Sequence, residues 1–475
     1  MTRRVAIVGS GITGLAAAHR LRRIVPSPQE LDVTVVEAKP RLGGSLWTEQ
    51  RDGFVLEAGA DSFLSTKPEA VALVRELGLL PRLVGLSTRK VYILHRHRLL
   101  PLPEGFTLVA SPRLGAMART RLLSPWGKAR AMWDLVRPPN RSTQDESVAS
   151  FVQRRLGREV LDRIAGPLVA GLHAADPARL SADSVIPQLR SLEREHGSVI
   201  RGLRATRGRS PSRDPKVPTP FASFLHGMEE LTDVLVRATP RVAWKSGVRV
   251  DRIERERDDG FTVVLEGGEG FPADAVLLAT PSHVSAGIVE GLDDGLAKAL
   301  GAIPYASSVT VTLAFSAEAC RCPDGSGFLV ARDEGMRLRA CTWASSKFPN
   351  RAPAGHVLLR AFYGGREDED IVGGSEEGLV DLALSDLGPI LSLHGSPEFS
   401  RVHRWPRVHP QYEVGHADRV AAIETACAKV PGLFLAGSAY RGVGIPDCIR
   451  DAEANTEAVL TYLGLGPASG SEVTA

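Results

Sequence analysis

Apolar positions along the chain change their rhythm several times, and each change marks an element. Val5-Ala6-Ile7-Val8 is a short apolar run, Gly9-Ser10-Gly11-Ile12-Thr13-Gly14 follows it, and Leu15-Ala16-Ala17-Ala18 comes next. That order predicts a strand, a tight glycine turn and a helix. Leu31-Asp32-Val33-Thr34-Val35-Val36 predicts a second, parallel strand. Pro68 suits the first turn of a helix over residues 69–77, and Val91-Tyr92-Ile93-Leu94 reads as a strand. From 111 to 203 the helical period dominates, in segments at 127–136, 147–156 and 160–170. Alternating runs at 247–253 and 261–266, with Asp/Gly-rich turns, predict a hairpin. Residues 274–281 are apolar enough for a strand buried on both faces. Strands at 305–315 and 356–363 imply a second sheet, and Leu433-Phe434-Leu435-Ala436 runs into glycine before a helix over 450–463.

The fold class that follows is α/β: a Rossmann-like dinucleotide-binding domain, a mixed-sheet substrate domain and an inserted helical region. The first is expected from residues 1–88, 221–290 and 412–475, and the second from 89–110 and 291–411. Residues 111–220 form the helical insertion, ending in a flexible, basic, Ser/Pro-rich loop at 204–220. The small, polar tail from 464 is expected to be disordered.

In the opening motif Gly9 permits the turn, Gly11 lets a pyrophosphate approach and Gly14 lets helix pack on strand. Ser10, Ile12 and Thr13 complete the turn, whose helix N-terminus offers N–H groups and a positive dipole end. Glu37 ends the second strand 23 residues after Gly14, near the spacing of an acid that takes a ribose hydroxyl. A glycine turn alone also occurs for steric reasons; strand, glycines, helix, strand and acid in order point to a dinucleotide.

Composition narrows the remaining classes. The 475 residues exceed what one core usually serves, and 43% hydrophobic with 24% charged residues is ordinary for a soluble protein. A net charge of +3 and the lack of any nucleic-acid motif argue against DNA or RNA as partner. No apolar run reaches about 18 residues, so no transmembrane helix is expected. The first strand begins at once, leaving no room for a signal peptide, and a cytoplasmic protein is expected. Cysteines at 320, 322, 341, 427 and 448 have no zinc spacing, so no metal site is expected, and Cys320 with Cys322 read as incidental thiols. Between 111 and 140 six Lys/Arg face one acid beside Trp126, Met132 and Trp133. That stretch is either a solvated helix face or a peripheral membrane contact.

Past Glu37 and Ala38 the pattern Glu-x-x-x-Arg-x-Gly-Gly, with Arg41, Gly43 and Gly44, resembles the FAD-binding start of the flavin amine-oxidase superfamily. Further motifs narrow the resemblance: Ala58-Gly59-Ala60-Asp61-Ser62-Phe63-Leu64, Leu123-Ser124-Pro125-Trp126-Gly127-Lys128-Ala129-Arg130 and Pro167-Leu168-Val169-Ala170-Gly171-Leu172-His173-Ala174-Ala175-Asp176. Together they resemble the oxygen-dependent protoporphyrinogen and coproporphyrinogen oxidases of haem synthesis. Ala60 stands where that family has proline, and Leu172, His173 and Ala175 depart from its Gly-Ile-Tyr-Ala-Gly-Asp. Pro101-Leu102-Pro103-Glu104-Gly105, Ala340-Cys341-Thr342-Trp343 and Gly442-Val443-Gly444-Ile445-Pro446-Asp447-Cys448-Ile449, with no arginine near Leu100, look more like the bacterial coproporphyrinogen branch.

The resemblance implies FAD, molecular oxygen and a porphyrinogen, with room for transient contact with the next enzyme of the pathway. It places the turn from Gly9 to Gly14 at the pyrophosphate, Glu37 and Ala38 at the ribose, Arg41 and Gly44 on the phosphate side and Val250 at the adenine. Gly59, Ala60, Trp405, Val443, Gly444 and Ile445 go to the flavin pocket; Trp405 equally suits a core cap. Lys67 is the implied catalytic residue beside the ring, with a helix-start lysine in solvent as the alternative. Arg89, Lys90, Arg96 and Arg98 are a solvated edge or the cations that meet substrate propionates. An amine or carotenoid oxidase, or a flavin-bearing protein without turnover, shares the cofactor motifs.

Overall fold

Arg3–Val8 pairs in parallel with Leu31–Glu37 on one side and Ala275–Leu278 on the other. Ala243–Ser246 extends the first side and Leu433–Leu435 the second, which makes a five-stranded parallel sheet. The computed structural model describes residues 2–103, 113–206, 217, 219–256 and 260–465. Successive side chains of a strand point to opposite faces. Val5 and Ile7 therefore enter one core with Leu15, Val33 and Ile449, whereas Ala6 and Val8 enter another with Val36, Val263 and Leu296. Both faces of the central strands are covered, so Val5–Val8 and Ala275–Leu278 read as continuous apolar runs.

One cover is the helix pair Ile12–Ile24 and Ile445–Tyr462. The other is an antiparallel sheet of Val250–Arg255, Phe261–Leu265 and Gly270–Ala273, with helices Asp294–Gly301 and His416–Cys427. Leu296, Leu300 and Ile303 belong to this second core. The chain therefore leaves this lobe after Ile303, and not at 290 as the sequence suggests, because the apolar face of the Asp294–Gly301 helix is covered here.

A seven-stranded mixed sheet forms the second lobe. Its order is Phe399–Pro410, Tyr305–Ser316, His356–Gly364, Ala340–Trp343, Gly327–Val330, Tyr92–His95 and Arg98–Pro101. Leu379, Ala383, Leu387 and Leu391 make one stripe of the Glu376–Leu391 helix and pack with Val309, Val311 and Leu359.

The third lobe is helical, with Phe151, Leu156, Ile164, Leu189 and Ile200 at its centre. Ser124, Ser147, Ser181 and Ser198 each cap a helix by accepting the N–H three residues on. Where the sequence suggests one helix over 160–170, Leu161–Ala165 is a π-helical turn and Gly166–His173 follows it; Pro167 has no N–H for the α-helical ladder. Arg155 is fully buried and donates to Asp134 at 2.5 Å, whose other oxygen accepts from Ser198 Oγ at 2.6 Å and the Ile200 N–H at 2.9 Å. A buried charge pair persists only when hydrogen-bonded in this way. The Val199–Ala205 helix takes the first two residues of the expected basic loop. Residues 207–216 and 218 of that loop, and 466–475 of the tail, lie outside the described residues. No described helix is long and apolar enough to cross a membrane.

Candidate active site

The parallel strands end together at Val8, Glu37, Ser246, Leu278 and Leu435, the edge where open α/β sheets form a ligand crevice. Gly14 sits so close under the turn that a Cβ there would lie 1.9 Å from the Gly9 carbonyl oxygen. The Ile12–Ile24 helix begins at Gly11 with no side-chain cap and no acid in its first turn. A Cβ built on Gly11 meets no atom within 4 Å. A bare helix N-terminus opening on free space fits a phosphate group.

Glu37 stands beside it. Its Oε2 accepts the Ser10 N–H at 2.9 Å and the Ser10 hydroxyl at 2.8 Å, and its Oε1 accepts the Lys39 N–H at 2.9 Å. A carboxylate that already accepts three donors has room for one further, such as a hydroxyl. Ala38 is exposed next to it, and the Val248 N–H donates to the Glu37 carbonyl at 3.0 Å, which brings the buried Val250 to the same strand end. Arg41 folds the loop that follows. Its Nη1 donates to the carbonyls of Leu42 at 2.7 Å and Leu46 at 2.9 Å, and it pairs with Glu229 at 3.2 Å. The turn so formed brings Gly44 against Gly11, where a Cβ on Gly44 would lie 2.9 Å from the Gly11 Cα.

Two lobes meet at Ala58. Its carbonyl accepts from Trp405 Nε1 at 3.0 Å and from Arg360 Nη2 at 2.8 Å, and Arg360 also reaches the Gly59 carbonyl at 2.6 Å. Both donors come from the seven-stranded sheet, and both are buried. Ala60 follows, and Asp61 then pairs with the Lys347 ammonium at 2.7 Å. Burial alone would raise Asp61, yet Lys347 and Arg360 hold its carboxyl down to about 2. Glu57, on the other side, is pushed up to about 7 by burial, against the pull of Arg351 at 3.8 Å.

Lys67 is the residue before the Pro68–Glu76 helix, and its ammonium donates to Asp447 at 2.7 and 2.6 Å. Asp447 lies in the first turn of the Ile445–Tyr462 helix, which starts at Gly444 without a side-chain cap. Val443 is exposed just ahead of it and Ile445 is buried. The loop is pinned from below: the Gly442 N–H donates to the Tyr412 hydroxyl at 2.8 Å, which donates to the Ser438 carbonyl at 2.7 Å. Tyr412 stacks on His416 at 3.9 Å, and burial lowers His416 to about 4. His173 and His409 are likewise lowered to about 4, each by burial first, and His409 shares 2.8 Å with Ser308 Oγ.

The basic run is not gathered. Arg89 and Lys90 precede the Tyr92–His95 strand while Arg96 and Arg98 follow it, at opposite ends of a strand roughly 13 Å long at about 3.3 Å per residue. All four are exposed, and Lys90 pairs with Asp324 at 2.5 Å. The four therefore sit at the two ends of the hairpin's first strand. Leu100 packs on the helical core. His95, Asp333 and Glu334 bring ligand-type atoms within 4.8 Å of one another. Those groups clasp the hairpin: Glu334 accepts the N–H groups of Arg96 and His97, and Asp333 meets His95 at 3.3 Å. Asp447, Arg360, Lys347 and Tyr412 take no role from the sequence. Only the Gly442–Asp447 stretch hints at Asp447, because its partner is 380 residues away.

The model of flavin-containing amine oxidoreductases matches residues 12–460. A coproporphyrinogen III oxidase of Bacillus subtilis is 34% identical over 464 residues, covering 97% of this chain and 98% of the relative. A chloroplastic protoporphyrinogen oxidase of Oryza sativa is 32% identical, covering 96% and 88%. The crystal structure of a proposed protoporphyrinogen oxidase from Exiguobacterium sp. 255-15 superposes with a TM-score of 0.85 at 30% identity, covering 97% and 99%.

Proposed function

The chain belongs to the flavin-containing amine oxidoreductases, in their porphyrinogen-oxidase branch, and from that membership we propose that it oxidises coproporphyrinogen III to coproporphyrin III. In this reading FAD would be the cofactor, and three molecules of oxygen would be reduced to three of hydrogen peroxide for each porphyrin formed. The observation that carries the substrate is end-to-end agreement with coproporphyrinogen III oxidases of Bacillus, Staphylococcus and Propionibacterium at 32–35% identity. Protoporphyrinogen IX is the second reading, supported by plant relatives at 31–32%.

FAD is preferred to a mononucleotide because the crevice offers both a phosphate-binding helix end and a ribose-binding acid. The glycine turn from Gly9 to Gly14 would hold the pyrophosphate, Glu37 and Ala38 the ribose and Val250 the adenine. Arg41 would act by pressing Gly44 against Gly11. Gly59, Ala60, Trp405, Val443, Gly444 and Ile445 would border the ring. Bound flavin supplies two-electron uptake and its return to oxygen.

The chain's own residues position the reactants. Arg360 and Trp405 fix the Ala58–Gly59 peptide from the substrate lobe. Lys67 would bring a hydrogen-bond donor to the ring, its ammonium held in place by Asp447. Arg89, Lys90, Arg96 and Arg98, being separated, would attract the tetra-anionic substrate through their field. A cytoplasmic site and transient contact with the next pathway enzyme accord with this reading. Trp126 at 85% exposure and Ala129 on the Pro125–Met132 helix, with Trp133 at 59% and Val136 in and just after the turn that follows it, are exposed beside the basic residues, which favours membrane contact over a merely solvated face.

Purified protein should show flavin absorbance, release FAD on denaturation and form peroxide with porphyrinogen. A colourless protein that cannot be reconstituted with FAD would contradict the reading.

A further inference from the structure

Cys320 and Cys322 lie in the turn that follows the Tyr305–Ser316 strand, with their sulfurs 3.6 Å apart. Cys320 is buried and Cys322 is half-buried. A hydrogen bond from Cys322 holds the Cys320 thiol below its ordinary value, against burial, and pushes Cys322 up. Burial raises the other three thiols, Cys341, Cys427 and Cys448. Two thiols this close are within reach of each other for one to resolve the other's oxidation product as a disulfide.

We propose that Cys320 and Cys322 are a peroxide-reactive dithiol that closes to an intramolecular disulfide. The source of peroxide in turnover rests on the oxidase reading above; the thiol chemistry does not. The Cys320 thiolate attacks one peroxide oxygen, the O–O bond breaks, and hydroxide leaves to become water with the released proton. Cys322 sulfur then attacks the Cys320 sulfenic sulfur, expelling a second water. Two thiols and one hydrogen peroxide thus give one disulfide and two waters, and the protein loses the two electrons that peroxide gains.

Closure draws the sulfurs together by roughly 1.5 Å, to about 2.05 Å. The same turn anchors the basic hairpin. The Asp324 carbonyl accepts from the Tyr92 hydroxyl at 3.0 Å, and the Ser326 N–H donates to the Lys90 carbonyl at 2.9 Å. Oxidation therefore acts on the segment that carries Lys90.

The test adds reagent hydrogen peroxide to reduced full-length protein, then counts free thiols after denaturation and maps the oxidised peptide. Two of the five thiols should be lost, with a linked 320–322 peptide lighter by two hydrogens and restored by dithiothreitol. In Cys322→Ser the disulfide should be absent and Cys320 should be trapped by dimedone as sulfenic acid. Five thiols remaining, or oxidation falling on Cys341, Cys427 or Cys448, would overturn the proposal, and the wild-type map decides even if the variant fails to fold. Closure by reagent peroxide without closure in oxygenated turnover would count against the oxidase reading and uphold the dithiol.

Discussion

The Lys67 ammonium lies 2.7 and 2.6 Å from the two carboxylate oxygens of Asp447, joining the start of one helix to the first turn of another. Arg450 shares Asp447 at 2.8 Å, so the carboxylate does not depend on Lys67 alone. Lys67→Ala should therefore leave flavin bound and the fold intact while slowing porphyrinogen turnover by roughly 10–100-fold, the scale of a misplaced active-site group. Asp447→Asn should slow turnover too, because it removes the charged partner that holds the Lys67 ammonium in place. Flavin content and turnover measured on the same samples check this, and unchanged turnover in Lys67→Ala would remove the residue from the site.

Gly11 and Gly14 should respond differently to the same substitution. A methyl on Gly11 meets no protein atom, whereas one on Gly14 collides with the Gly9 carbonyl. Gly11→Ala should fold with near-normal thermal stability yet lose flavin. Gly14→Ala should lose both. Equal flavin retention in the two variants would show that the space over Gly11 is not where the cofactor's phosphates lie.

How much of this can be read from the chain depends on where each residue points. The parallel sheet is legible because Val5-Ala6-Ile7-Val8, Val33, Val35, Val36 and Ala275 to Leu278 are buried and so apolar in sequence. The Phe399–Pro410 strand does not announce itself. It is an edge strand, so Pro406 and Pro410 are tolerated and its Arg and His side chains hide the alternation. Glycines and Glu37 mark the crevice by spacing. The joining of Trp405 and Arg360 to Ala58, and of Lys67 to Asp447, is tertiary and leaves no local mark.

Glu57 gives the protein a pH-dependent stability. Its carboxyl lies at about 7 when folded, above the ordinary 4.5, so the folded state binds its proton more tightly. The contribution is full below pH 4.5 and is lost as pH rises toward 7, by on the order of 3 kcal/mol. Glu57→Gln should flatten the decline between these values in denaturant unfolding. An unchanged slope would place the titrating group elsewhere.

The exposed face of Trp126 and Trp133 should bind anionic vesicles. Sedimentation with phosphatidylglycerol vesicles should fall several-fold in the double variant Trp126→Ser, Trp133→Ser and in high salt. Equal sedimentation of variant and wild type would leave the face merely solvated.

Porphyrin fluorescence measures the substrate preference directly. Coproporphyrinogen III and protoporphyrinogen IX, each supplied in air to the same flavin-loaded protein, should give coproporphyrin III at the higher kcat/KM. Three peroxides should form per porphyrin. A large preference for protoporphyrinogen IX would contradict the assignment, and oxidation of neither would contradict the porphyrinogen reading altogether.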